Sequence, residues 1–94
     1  MRDMKVKFKL FANFREAARG KEVELDVDGD TVDDAIKGLL ARYPALAPMT
    51  LQDGKIKPYV NILLNAQKIS GAEGLAAHVK DNDEIALFPP VSGG

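Results

Sequence analysis

The residues best suited to chemistry in this 94-residue chain are the last seven, Phe88 to Gly94, reading FPPVSGG. Two consecutive prolines favour the polyproline II conformation, extended and stiff at about 3.1 Å per residue. Pro89, Pro90, Val91, Ser92, Gly93 and Gly94 would together reach roughly 20 Å at about 3.3 Å each, enough to thread into a partner's active site. Val91 and Ser92 add little bulk, and glycine lets a backbone pass through a narrow channel. The reactive group at such a tip is the α-carboxylate of Gly94. A carboxylate is a poor electrophile until it is activated, for example as an acyl-adenylate. The chain has no cysteine, so it owns no thiol nucleophile, disulfide or thiolate metal site. Sulfur chemistry, if it occurs, would not be carried by a side chain.

The other titratable residues promise less. His78 is the single histidine and has no Cys, Asp or Glu at metal-ligand spacing. The carboxylates of Asp28, Asp30, Asp33 and Asp34 lack the glycine and terminal glutamate of a calcium loop, so they read as helix capping and no metal is expected. Lys5, Lys7 and Lys9 read as the solvated face of a strand. A composition of 46% hydrophobic and 29% charged residues is that of an ordinary globular domain. The net charge of −1 leaves no electrostatic footprint for nucleic acid or an anionic membrane. No apolar run approaches the ~20 residues of a membrane span, and MRDMKVKFKL lacks the apolar stretch of a signal peptide. The expected location is the cytoplasm.

The elements that must position the tail follow from periodicity. Met4, Val6, Phe8 and Leu10 alternate with Lys5, Lys7 and Lys9, and Val23, Leu25 and Val27 alternate with Glu22, Glu24 and Asp26. Both are strands with one wet face. Paired antiparallel, they set a lysine row against an acidic row. ANFREAARG between them reads as a loop or short helical turn. After the break at Asp28–Asp30, Thr31 reads as an N-cap, and Val32, Ala35, Ile36, Leu39, Leu40 and Tyr43 form the apolar stripe of a helix. Pro44 ends it. Residues 44–58 read as a long irregular connection, 59–64 as a strand closed by a turn at NAQK, and Ile69 as part of a short strand. SGAEGLAAHV reads as a loop with one helical turn, and Asp81 to Asp83 as a turn. Glu84 to Phe88 is the last strand, which Pro89 and Pro90 stop. A right-handed crossover sets that strand beside the first, in the sheet centre. The predicted fold is α+β, a β-grasp with a mixed sheet of four or five strands and one main helix on one face. Residues 1–88 form the domain and 89–94 the tail. Ile85 and Leu87 should face the core, leaving Ala86 and an exposed Phe88 on the helix-free face. There they would serve as a docking point beside the tail.

The ending LFPPVSGG, the opening KLFANFREAARG, the helix after DGDTV and the turn-strand DNDEIALF together resemble the small sulfur-carrier subunit of molybdopterin synthase. They resemble the small archaeal ubiquitin-like modifier proteins at least as well. Lys68 and the length of SGAEGLAAHV depart from the bacterial synthase pattern and lean toward the archaeal group. Thiamine-pathway carriers are less similar at the tail. The resemblance implies a protein that is a co-substrate or small subunit rather than a stand-alone catalyst. It implies no bound cofactor, with ATP consumed by an activating enzyme of the ubiquitin-activating type that adenylates Gly94. A persulfide donor would then convert the carboxylate to a thiocarboxylate. Docked on the large subunit of molybdopterin synthase, the tail would deliver sulfur to a pterin precursor for the molybdenum or tungsten cofactor. In the modifier branch, Gly94 would instead be joined to lysines of target proteins. A β-grasp binding module without covalent chemistry is a third reading, since fold alone does not fix function.

Overall fold

The computed structural model describes residues 3–57, 60–69 and 71–88. Strand β1 (Asp3–Leu10) pairs antiparallel with β2 (Glu22–Asp28) in the register that the charge rows require. Lys5 lies opposite Asp26, Lys7 opposite Glu24 and Lys9 opposite Glu22. The odd-numbered lysines face water while Val6, Phe8 and Leu10 are fully buried beneath them. Between the two strands, ANFREAARG is ordered as helix α1 (Ala12–Ala18). Phe14 and Ala18, four residues apart, seat it on the core. It ends at Arg19 in the left-handed region (φ 60°), where the amides of Arg19 and Gly20 return to the carbonyls of Glu16 and Arg15.

Helix α2 (Val32–Arg42) begins as predicted. The Thr31 hydroxyl accepts the Asp34 amide at 3.1 Å, and the Asp34 carboxylate accepts the Asp30 amide at 3.2 Å. The Asp30 amide first, and after it the Thr31 hydroxyl acting on the same carboxylate, hold the Asp34 carboxyl below the usual aspartate range. Gly29 makes the turn into this cap at φ 126°, and a Cβ there would fall 2.6 Å from the Asp34 side chain. Asp33 pairs with Lys37 one turn on, at 3.0 Å. Two of the four clustered carboxylates are therefore spent on the helix itself.

The segment expected to be irregular is ordered instead. A 3-10 turn (Pro44–Leu46) leads into α3 (Ala47–Thr50), then into a two-stranded ribbon of β3 (Leu51–Gln52) and β4 (Lys55–Ile56). Asp53 and Gly54, both at positive φ (55° and 77°), turn that ribbon. An Asp-Gly pair is a recognised hairpin signal, but strands of two residues are too short to show alternation. Buried Leu46 and Thr50 explain the order, the Thr50 hydroxyl donating to the Leu46 carbonyl at 2.8 Å.

Strand β5 (Asn61–Leu64) turns at Asn65–Ala66, both left-handed (φ 50° and 71°), into β6 (Gln67–Ile69). The expected start of that strand, Tyr59, lies outside the described residues. The single helical turn in SGAEGLAAHV is α4 (Gly71–Leu75), and β7 (Glu84–Phe88) closes the fold. The sheet order is β2-β1-β7-β5-β6, with β1 and β7 parallel and the other pairs antiparallel. The last strand thus lies at the centre, as the crossover argument predicts. One core fills the space between this sheet and the helices, and Phe8, Ile36, Leu39, Ile85 and Leu87 all belong to it. Five strands with one principal helix across one face make a ubiquitin-like β-grasp.

Candidate functional site

Strand β7 fixes the root of the tail. Its residues alternate between faces, and the ladders show where each points. Leu87 sits between Leu10 and Ile62 and Ile85 between Phe8 and Leu64, all on the helix side. Ala86 lies between Lys9 and Leu63 on the other face, with Phe88 one pleat further on. The facing predicted for Ala86 and Phe88 therefore holds, while the exposure predicted for Phe88 needs correction and Ala86 offers little surface for docking. Ala86 is only 6% exposed, because the long side chains on either side close over a single methyl. Phe88 is half-buried, because the ring of Phe11 stacks on it with centroids 4.2 Å apart and planes 9° from parallel. The apolar surface at the tail root is presented by Phe11, the exposed large hydrophobic side chain of the described residues, at 38%.

Phe11 reaches this position by continuity of the parallel ladder. Leu10 is opposite Leu87, so the next residue of each strand falls side by side on the open face. Immediately afterwards Ala12 takes a positive φ of 54° and the chain turns into α1. A left-handed alanine costs about 1–2 kcal/mol, and here the conformation leaves the Phe11 ring on the sheet surface. Leu63 extends the patch, and Lys9 bonded to Glu84 at 3.5 Å borders it. That exposed pair contributes little to stability. Pro89, Pro90, Val91, Ser92, Gly93 and Gly94, expected to form the working tail, lie outside the described residues. They follow directly from Phe88.

The remaining candidates are placed plainly. His78 is exposed and forms an isolated antiparallel bridge with Thr31. Among the described residues no cluster of three His, Asp or Glu side chains could hold a metal ion. No helix there is long and apolar enough to cross a membrane.

A central strand that ends beside an aromatic pair on the open face of a five-stranded sheet, with one principal helix across the other, defines a protein of the ubiquitin-like β-grasp class. The ThiS family matches residues 8–94, and the chain belongs to that family. It is 39% identical over 92 residues to small archaeal modifier protein 3 of Haloferax volcanii, covering 97% of this chain and 100% of the relative. It is 34% identical over 92 residues to the molybdopterin synthase sulfur carrier subunit of Chlamydomonas reinhardtii, covering 97% and 100%. Among solved structures, small archaeal modifier protein 1 of Methanosarcina acetivorans superposes with a TM-score of 0.86 at 40% identity, over the whole of both chains.

Proposed function

We propose that the protein is a sulfur carrier, activated at Gly94 and supplying sulfur for molybdopterin in molybdenum or tungsten cofactor synthesis. The observation that carries this reading is the position of Phe88. It ends the central strand, stacks on Phe11 and leads directly into Pro89–Gly94. In the activation step a Gly94 carboxylate oxygen attacks the α-phosphorus of ATP on an adenylating enzyme, expelling pyrophosphate. A persulfide sulfur then attacks the acyl carbon and AMP leaves, and a thiol cleaves the resulting S–S bond to free the thiocarboxylate. The chain acts as a co-substrate in these steps and binds no cofactor of its own. Phe11, Phe88 and Leu63 form the docking patch for the activating enzyme and, in turn, for the large synthase subunit. The work takes place in the cytoplasm.

The similarity to archaeal modifier proteins supports a second fate for the same acyl-adenylate, transfer to lysine amines of target proteins. Both fates share activation at Gly94 and the tail Pro89, Pro90, Val91, Ser92 and Gly93. Deleting Gly93 and Gly94 should abolish ATP–pyrophosphate exchange by the adenylating enzyme while leaving the thermal midpoint unchanged. Exchange that survives the deletion would refute activation at Gly94. Mass spectrometry of the tryptic fragment 81–94 from the native host then separates the fates. One oxygen replaced by sulfur marks carriage, and branching from a lysine of another protein marks conjugation.

A further inference from the structure

On the helix side of the sheet, lined by described residues, lies a groove of about 710 Å³. The β3–β4 ribbon, the first turns of α2, strand β6 and the end of α4 bound it. Its walls include half-buried Ile56, Ile69 and Leu75. Its rim carries Lys37, Lys55, Lys57 and Lys68 against the single carboxylate of Asp33, which is already paired with Lys37. A local excess of three positive charges thus surrounds an apolar surface in a chain whose net charge is −1. Lys57 is engaged by the Pro48 carbonyl at 3.0 Å, whereas Lys55 and Lys68 are exposed.

We propose that this groove docks an extended acidic segment of a partner protein, its apolar residues on Ile56, Ile69 and Leu75 and its carboxylates at Lys55, Lys68 and Lys37. The occupant follows from charge and shape together. A compact anion would meet one lysine and leave the apolar surface wet, whereas alternating acidic and apolar side chains match both. Nucleic acid is a poorer match, because base stacking needs aromatic rings and the described lining has none. Phe11 and Phe88 lie on the opposite face of the sheet. Lys68, set opposite Leu63 on the edge strand β6, is the rim residue nearest that face, so most of the groove stays open while an enzyme or target holds the tail.

The test titrates the isotope-labelled full chain with a fluorescein-labelled dodecapeptide alternating glutamate with valine and isoleucine, read by anisotropy and amide chemical shifts. The expected result is saturable binding that weakens with salt and shifts Lys37, Ile56, Ile69 and Leu75 but not Phe11 or Phe88. Lys55→Glu combined with Lys68→Glu should weaken binding by about tenfold or more, while its amide spectrum stays folded. Lys68→Gln is the milder variant should the double charge reversal unfold the chain, and it should weaken binding in the same direction. Absence of saturable binding, shifts confined to the open face, or equal affinity for a peptide with lysine in place of glutamate would each overturn the proposal. So would self-association in sedimentation velocity that shifts the same residues, which would make a second copy the occupant.

Discussion

Strand β7 is held very differently at its two ends. Where it begins, polar groups of several loops converge. The Glu84 amide donates to the Asn65 side chain at 3.0 Å, and the Asn65 side chain donates to Asp83 at 3.1 Å. Asp83 also receives the Lys80 amide, while Asp81 receives the Lys5 amide, both at 2.8 Å. The α2 cap adjoins this cluster, the Asp30 carbonyl accepting the Val79 amide at 2.8 Å. Where the strand finishes, the Phe88 ring stacks on the ring of Phe11. Hydrogen bonds fix direction and are costly to leave unmade. Ring stacking, by contrast, can be traded for a partner's apolar surface at little net loss. One end anchors the strand, and the other is suited to exchange partners.

The strongest way to break this contrast is to loosen the strand between its ends. Leu87 is fully buried between Leu10 and Ile62, and Leu87→Ala should lower stability by about 2–5 kcal/mol in urea unfolding. Both ends should lose amide exchange protection together. Asp83→Ala removes two hydrogen bonds in a partly exposed site and should cost about 1–2 kcal/mol, with the adenylation rate unchanged. Phe11→Ala should do the reverse. The lost stacking costs about 1 kcal/mol of stability, but kcat/KM for adenylation should fall roughly tenfold, the loss expected of an aromatic interface anchor. Phe11→Tyr should restore most of it. If Asp83→Ala slows adenylation as much as Phe11→Ala, the two ends do not differ in role.

The smallest effect separates the ends by pH. The folded-state pKa of Asp34 is depressed by its hydrogen bonds to Asp30 and Thr31. Its contribution to stability is therefore complete above the ordinary aspartate value of 3.8 and is lost as pH falls through the lower folded value. Asp34→Asn should be less stable than the parent at neutral pH, and the difference should shrink in that acid window. Adenylation at neutral pH should be unaffected.

How much of this was legible in the sequence depended on the range of the signal. The lysine and acidic rows of β1 and β2 carry period-two alternation, and their pairing register follows from charge. Thr31 and Asp34 announce the start of α2 from three residues apart. The β3–β4 ribbon was missed because two-residue strands carry no period, although Asp53-Gly54 held the turn signal. Phe11 was missed for a different reason. It stands one residue past a clean alternating strand, where local pattern reads it as loop, and its partner Phe88 lies at the far end of the chain. The signal lay in the topology. Once β1 and β7 are taken as parallel neighbours, two phenylalanines just beyond Leu10 and Leu87 must meet. Ala86 was assigned to the right face but credited with surface that a methyl group between Lys9 and Leu63 cannot offer.

The parallel pairing of β1 with β7 also sets how the molecule bears a load. Asp3 and Phe88 stand at opposite ends of two strands that run the same way. Traction on the tail against the start of the chain slides β7 lengthwise past β1. The bonds of the ladder then share the tension instead of parting one after another, as they would if the strands were peeled from one end. Under the proposed function, a tail threaded into a partner or tethered to a bulky protein would be rooted where the sheet resists being drawn apart.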